Sequence, residues 1–373
     1  MRICHVITGL NVGGAELALC GLLETLGQPE QTVVVLGGTS ALSARVARFA
    51  ELHHLDMTAG RAGPFDLLRL RRLLLTNGLR PDVIHAWMYH ANLMAALAAT
   101  NVGIPLLWGI HHSLSDLASE KRKTRAVIRV NALLSGRPNR IRYVSAVAAE
   151  QHRRAGFSGK RTVVIPNGYD TRVFAPDPEA RSRIRQELGI APDALVIGMV
   201  ARVHPTKDHA NFLQAAERFL STQPDAIFAL VGEGTDADRG LLDAIERMGL
   251  RPRVRLCGRR EDVAAFNAAF DIATLSSRGE AFPNALAEAM SCGTPCVSTD
   301  VGDAMMIVGD TGIIVPTNDP VALSDGWARL AALSAPERKA LGLRARSRIT
   351  ENFGRQAIGR RFIKLYRELI ATQ

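Results

Sequence analysis

The sequence predicts an α/β protein of two Rossmann-like domains whose parallel sheets face a central cleft. Three observations carry this. Short apolar runs alternate with amphipathic stretches along all 373 residues, the pattern of repeated βα units. The length exceeds that of one typical domain. Between two sets of such units lies Pro166-Asn167-Gly168-Tyr169-Asp170-Thr171-Arg172-Val173-Phe174-Ala175-Pro176-Asp177-Pro178, whose Pro, Gly, Asn and Asp content marks a linker. The boundary is placed there, and the cleft where the C-terminal strand ends face each other is the expected ligand site.

Candidate strands in the first half are 3–8, 32–36, 83–85, 105–110, 141–145 and 162–166. Those in the second are 195–201, 226–232, 254–258, 271–275, 295–299 and 312–315. Helices fill intervals such as 15–26, 65–77, 209–222 and 237–248. No repeat of solenoid period and no low-complexity tract interrupts them.

Composition narrows the class. With 47% hydrophobic and 22% charged residues, the chain can bury a sizeable core. No apolar run approaches the length that spans a bilayer. The N-terminus reads as a first strand, without a signal peptide's apolar core and cleavage site, so cytoplasmic residence is expected. Five cysteines without Cys-x-x-Cys pairing read as buried thiols rather than disulfides or metal ligands. The net charge of +10 lies entirely in residues 1–167, with 20 basic against 10 acidic residues; the remainder balances. Within residues 118–142, Lys121, Arg122, Lys123, Arg125, Arg129, Arg137, Arg140 and Arg142 face only Glu120. Such a cluster suits an anionic membrane surface or phosphorylated acceptors. Aromatics at 5% and the lack of a nucleic-acid signature argue against nucleic acid. A solvated Arg-rich face is the plain alternative.

The most informative segment runs from Ser277 to Gly293. Glu280 sits on a Gly-containing turn and Glu288 on a helix that Pro283 opens, since Pro suits the first helical position. Amides near Phe282, Asn284 and Ala285 form an anion site at that helix start. A wholly helical span between the carboxylates would cover roughly 12 Å, about the reach from a nucleotide ribose past a diphosphate to a sugar. A surface helix with one capping acid would give the same letters. Arg202 and Lys207 follow the first strand of the second half and, facing the carboxylates across the expected cleft, can neutralise a departing diphosphate. No metal is then required. Gly13 and Gly14, between the first strand and first helix, permit close ligand approach without matching a dinucleotide fingerprint. His85 with Trp87 and His90, and His111-His112-Ser113, follow candidate strands and suit proton transfer or hydrogen bonding. Asp236-Ala237-Asp238 is read as acids at a helix start rather than a metal motif.

In this order these segments resemble the retaining glycosyltransferases of family 4, of GT-B architecture, over nearly the whole chain. Gly13-Gly14-Ala15-Glu16 is similar to their glycine loop, Arg202 and Lys207 to their phosphate pair, and Glu280 to Glu288 to their Glu-x7-Glu signature. The resemblance implies that Glu280 contacts the transferred sugar and Glu288 the ribose. Arg202 and Lys207 hold the diphosphate with the amides of Phe282, Pro283 and Asn284, and His111 lies near the sugar. It implies a UDP- or GDP-sugar donor, no cofactor, and a lipid-linked or polysaccharide-precursor acceptor for cell-surface glycan synthesis at the inner face of the cytoplasmic membrane. It also divides the chain into 1–167 (acceptor side), 168–352 (donor side) and a helix within 353–373 returning to the first domain. Ala281 and Asp303-Ala304-Met305-Met306 depart from the family pattern, and Arg259 and Arg260 are weaker candidates for contacting the base. A GT-B epimerase or phosphorylase, or a catalytically silent nucleotide-sugar-binding protein, would share these motifs.

Overall fold

The computed structural model describes residues 1–27, 31–57, 63–75, 80–114 and 122–372. The chain divides into two compact units, Met1–Gly168 with Arg355–Gln373, and Tyr169–Gly354.

The first unit holds a parallel sheet of β1 (Ile3–Ile7), β2 (Gln31–Val35), β3 (Glu51–His54), β4 (Val83–Trp87), β5 (Leu106–Ile110), β6 (Arg140–Tyr143) and β7 (Thr162–Val164), in the order β3-β2-β1-β4-β5-β6-β7. Alternation along the strands sends Cys4, Val6, Ile84 and Ala86 to one face and Ile3, Ile7, Val83 and Trp87 to the other. The first face is covered by the helices Pro64–Leu75, Met88–Ala98 and Arg122–Leu134, through Leu70, Leu74, Met94 and Ile128. The second takes Gly14–Leu26 and the C-terminal helix Arg355–Ala371, which inserts Ile358, Phe362, Leu365, Tyr366 and Leu369. These recur at helical spacing, and each gains about 1.5–3 kcal/mol gross on burial.

The second unit holds β8 (Val196–Val200), β9 (Ile227–Val231), β10 (Val254–Leu256), β11 (Ile272–Leu275), β12 (Cys296–Thr299) and β13 (Ile313–Val315), ordered β10-β9-β8-β11-β12-β13 and parallel. Its core closes on Trp327, packed edge-on to Phe212 and Phe219, with its indole N–H donating to Thr274 Oγ1 at 2.9 Å.

In both sheets the connections reverse direction once, between β1 and β4 and between β8 and β11. Loops leaving the C-terminal ends of the two strands must diverge there, which opens a crevice. Each expected strand forms. The sequence reading missed β3, a four-residue edge strand of Glu51, Leu52, His53 and His54 with no fully buried residue. The five cysteines are free thiols, and no helix among the described residues is long and apolar enough to cross a membrane.

Candidate active site

The second unit's switch point brings Lys207 and Glu280 together. Lys207 ends the turn that follows β8, and Glu280 lies five residues beyond β11, the neighbouring strand. Lys207 Nζ forms an ion pair with Glu280 Oε1, which also accepts from Ser277 Oγ at 2.8 Å. The sequence reading set the lysine and the carboxylate on facing walls; both belong to one unit and touch. Ser277 is buried and its carbonyl accepts from Thr299 Oγ1 at 2.7 Å, which anchors the loop to β12.

Next to Lys207, Asp208 adopts a left-handed backbone, φ 52° and ψ 55°. This conformation costs a residue with a Cβ about 1–2 kcal/mol, less for Asp, which bonds locally. Its Oδ1 accepts from Asn211 N at 3.3 Å, capping the helix His209–Leu220. Arg278 grips the same carboxylate in bidentate fashion, at 2.6 and 2.9 Å. Arg202, one turn earlier, is exposed.

The helix carrying Glu288 runs Asn284–Ser291, so Pro283 is its extended N-cap rather than its first residue. Pro283 lacks the N–H that a first-turn donor needs; the helix's backbone N–H groups begin at Asn284, and the N-cap itself makes no side-chain hydrogen bond. The carboxylates are thus joined by a loop and one helical turn, not by a continuous helix. The Phe282 side chain is buried and stacks on Tyr169 at 6.3 Å. Tyr169 also donates its hydroxyl to Asn284 Oδ1 at 2.6 Å, fixing the helix start. Glu288 is half-buried, and desolvation pushes its pKa up to about 7. It is poised to gain from hydroxyl donors.

Gly13 caps the helix Gly14–Leu26 with an extended backbone, φ −155°, that any residue adopts. A Cβ on Gly13 would fall 2.5 Å from Glu16 Oε2, and one on Gly14 would meet nothing within 4 Å. Gly13 makes room for the Glu16 carboxylate and Gly14 faces open space, and neither satisfies a strained turn. His111 follows β5, stacks on Trp87 at 5.2 Å, and accepts at Nε2 from Arg142 Nη1. Burial first, then the Arg142 charge, lower its pKa well below the usual imidazole range. His111 is therefore neutral, and its acceptor nitrogen is engaged. Arg142 is itself buried and donates Nε to Ile165 O at 2.6 Å.

His85 does not project from a strand end as expected. It lies inside β4, fully buried, with Nδ1 2.8 Å from Tyr366 Oη of the C-terminal helix. Nearby, His5 Nε2 donates to Gln31 Oε1 at 3.0 Å while Nδ1 accepts from Trp87 Nε1 at 3.2 Å. These histidines are interior hydrogen-bonding groups. Arg260 is also structural, paired to Glu187 and Asp262 and lying over Phe266 at 4.8 Å. Asp238 caps the helix Arg239–Arg247 through Leu241 N at 2.9 Å, as its position in the sequence suggested. No cluster of metal-ligating side chains occurs among the described residues.

Lys207, Glu280, Pro283, Asn284 and Glu288 all lie in the second unit, while Gly13, Gly14 and His111 lie in the first. Tyr169, Ser277, Asp208 and Arg278 were missed from sequence. Only Asp208, an Asp directly before a helix, carried a readable signal.

Two doubly wound parallel sheets, one with a lysine and a carboxylate meeting at its switch point, have the GT-B architecture. A family profile described as Glycosyl transferases group 1 matches residues 194–332, and one described as Glycosyltransferase Family 4 matches residues 12–173. The chain belongs to this family 4 type of glycosyltransferase. It is 30% identical over 287 residues to a D-inositol 3-phosphate glycosyltransferase of Geodermatophilus obscurus, covering 70% of this chain and 62% of that protein. It is 24% identical over 245 residues to a UDP-Gal:alpha-D-GlcNAc-diphosphoundecaprenol alpha-1,3-galactosyltransferase of Escherichia coli, covering 64% and 63%. Anabaena Alr3699/HepE, crystallised with UDP and glucose, superposes with a TM-score of 0.83 at 22% identity, over 99% of this chain and all of that one.

Proposed function

We propose that the protein transfers a sugar, with retention, from a nucleoside-diphosphate sugar to a lipid-linked or other polysaccharide-precursor acceptor. The contact between Lys207 and Glu280 at the switch point carries this reading. The lysine charge is balanced by Glu280. An arriving diphosphate draws Lys207 onto its oxygens, joined by Arg202 and the amides from Asn284 onward. Glu280, still held by Ser277, then turns its freed oxygen to the sugar. Glu288 accepts from the ribose hydroxyls. The departing diphosphate takes the acceptor's proton. Because Lys207 and Arg202 supply the positive charge, no metal is assigned. The relatives named above support a UDP-sugar donor, and either a polyprenyl diphosphate or a phosphorylated polyol acceptor.

The test is a panel of UDP- and GDP-sugars with a polyprenyl-diphosphate-linked sugar or inositol phosphate as acceptor, read as nucleotide release and product anomer. Release with one donor and a retained anomer is expected; no release with any pair would overturn the reading.

The acceptor reading places the enzyme at the inner face of the membrane, and the first unit's surface supports this. Two helices on one sheet face, Pro64–Leu75 and Arg122–Leu134, expose Phe65 (82%), Leu68, Val130 and Leu133 (85%) and also carry the exposed Arg72, Arg122 and Arg129. Exposed apolar residues on helices that also expose cations fit an anionic bilayer. Residues 118–121 of the basic segment lie outside the described residues. Flotation with anionic vesicles, lost in Leu133→Asp and absent with zwitterionic vesicles, is the expected result. Equal partitioning to both vesicle types, or none, would remove the membrane assignment.

A further inference from the structure

Lys207 has no rigid element of its own. It ends a three-residue turn, Pro205–Lys207, and the next residue is in the left-handed region. Four contacts tie this turn to the loop bearing Glu280. The Arg278 guanidinium holds both oxygens of Asp208, at 2.6 and 2.9 Å, and its backbone N–H donates to Thr206 O at 2.8 Å. Ser276 Oγ donates to Lys207 O at 2.9 Å, with Asp208 O at 3.2 Å. The Asp208 side chain is 1% exposed, whereas that of Arg278, its ion-pair partner, is 54% exposed.

We propose that the Arg278–Asp208 pair positions the donor-binding lysine: it stabilises the left-handed turn that aims Lys207 at Glu280 and at the donor diphosphate. Neither residue touches the donor. The pair acts through Lys207, the residue before Asp208 in one loop, and through Glu280, two residues beyond Arg278 in the other. A bidentate, charge-assisted contact suits this role because it fixes orientation as well as distance. Removing the guanidinium leaves a buried carboxylate that can regain water only by unwinding the turn. Glycine at 208 would need no such support, since it reaches the left-handed region without side-chain strain. This inference rests on the donor reading above, and its test separates the two.

The experiment measures UDP and GDP binding by calorimetry, and thermal unfolding, for the wild type, Arg278→Ala, Arg278→Lys and the double variant Arg278→Ala/Asp208→Gly. Expected is a loss of affinity of about tenfold or more in Arg278→Ala, partial in Arg278→Lys because an ammonium grips at one point. The double variant should recover most of it, since glycine holds the turn and the orphaned charge is gone. Arg278→Ala binding as tightly as wild type would overturn the proposal. So would a double variant no better than Arg278→Ala while unfolding at the wild-type temperature. A wild type that binds neither nucleotide would overturn the donor reading itself, and this inference with it.

Discussion

The two units share one architecture and handle charge in opposite ways. The first, counting its C-terminal helix, carries 25 basic and 11 acidic residues; the second carries 21 and 25. The first fills its interior with neutral polar groups, His5, His85, His152, Gln31 and Tyr366, and among its described residues buries one cation fully, Arg142. The second sinks carboxylates and holds each with arginine: Asp271 with Arg181 and the buried Arg185 at 2.7 Å each, and the buried Asp208 with the more exposed Arg278. A buried ion pair breaks expensively when one partner is lost, while a neutral pair gives up only a modest hydrogen bond. The second unit is thus built to hold charged groups at fixed positions, as a diphosphate site requires. The first presents a basic exterior to its surroundings.

The sharpest challenge to this contrast is Glu280→Gln. Turnover should fall by about a thousandfold, on the order of 4 kcal/mol, with the unfolding midpoint nearly unchanged. Initial rates with the accepted donor decide it, and a near-normal rate would remove Glu280 from the chemistry. Next in size is Asp271→Ala. It leaves Arg185, whose side chain is 4% exposed, hydrogen-bonded to backbone carbonyls but without its counter-ion, and removes the acceptor of Val196 N, which donates to Asp271 Oδ2 at 2.8 Å. A loss of about 3–5 kcal/mol is expected, confined to the second unit in hydrogen exchange. Equal loosening of both units would show that the charge strategies are not separable.

Glu288→Gln tests the raised pKa. With the folded value up from 4.5 to about 7, the folded state binds the proton more tightly than the unfolded chain. The resulting cost is absent below pH 4.5, grows between 4.5 and 7, and is complete above 7. The variant should therefore be more stable than wild type at pH 8, by about 1–3 kcal/mol, and no different at pH 4. Nucleotide affinity in the wild type should rise through pH 7, and this rise should vanish in the variant. Smallest is Tyr366→Phe in the first unit, which removes the partner of His85 Nδ1. About 1 kcal/mol is expected by denaturant unfolding, and a loss near that of Asp271→Ala would erase the distinction.

The strands were legible because both sheets are parallel and covered on both faces, so most strands are continuous apolar runs. β3 lacked that signal, since an edge strand needs only one partner and its Glu51-Leu52-His53-His54 stays half-wet. In the candidate site, Glu280, Glu288 and Lys207 stood out because charges near strand ends and helix starts need a reason. Asp208 and Arg278 did not. They are 70 residues apart, and their pairing exists only because β8 and β11 lie side by side. His85 was misjudged for the converse reason: a polar letter at a strand end reads as exposed until the C-terminal helix covers it with Tyr366.

By itself the sequence determined the alternating βα pattern, the break near residue 168, the basic excess of the first half and the spacing of the two glutamates. These follow from local periodicity, turn chemistry and composition, all written within short windows. Tertiary structure alone decided that Lys207 meets Glu280, that Pro283 caps its helix, and that Arg142 occupies the acceptor nitrogen of His111. Each depends on which strands become neighbours and on how far burial removes water from a charge, and neither is encoded within any one segment.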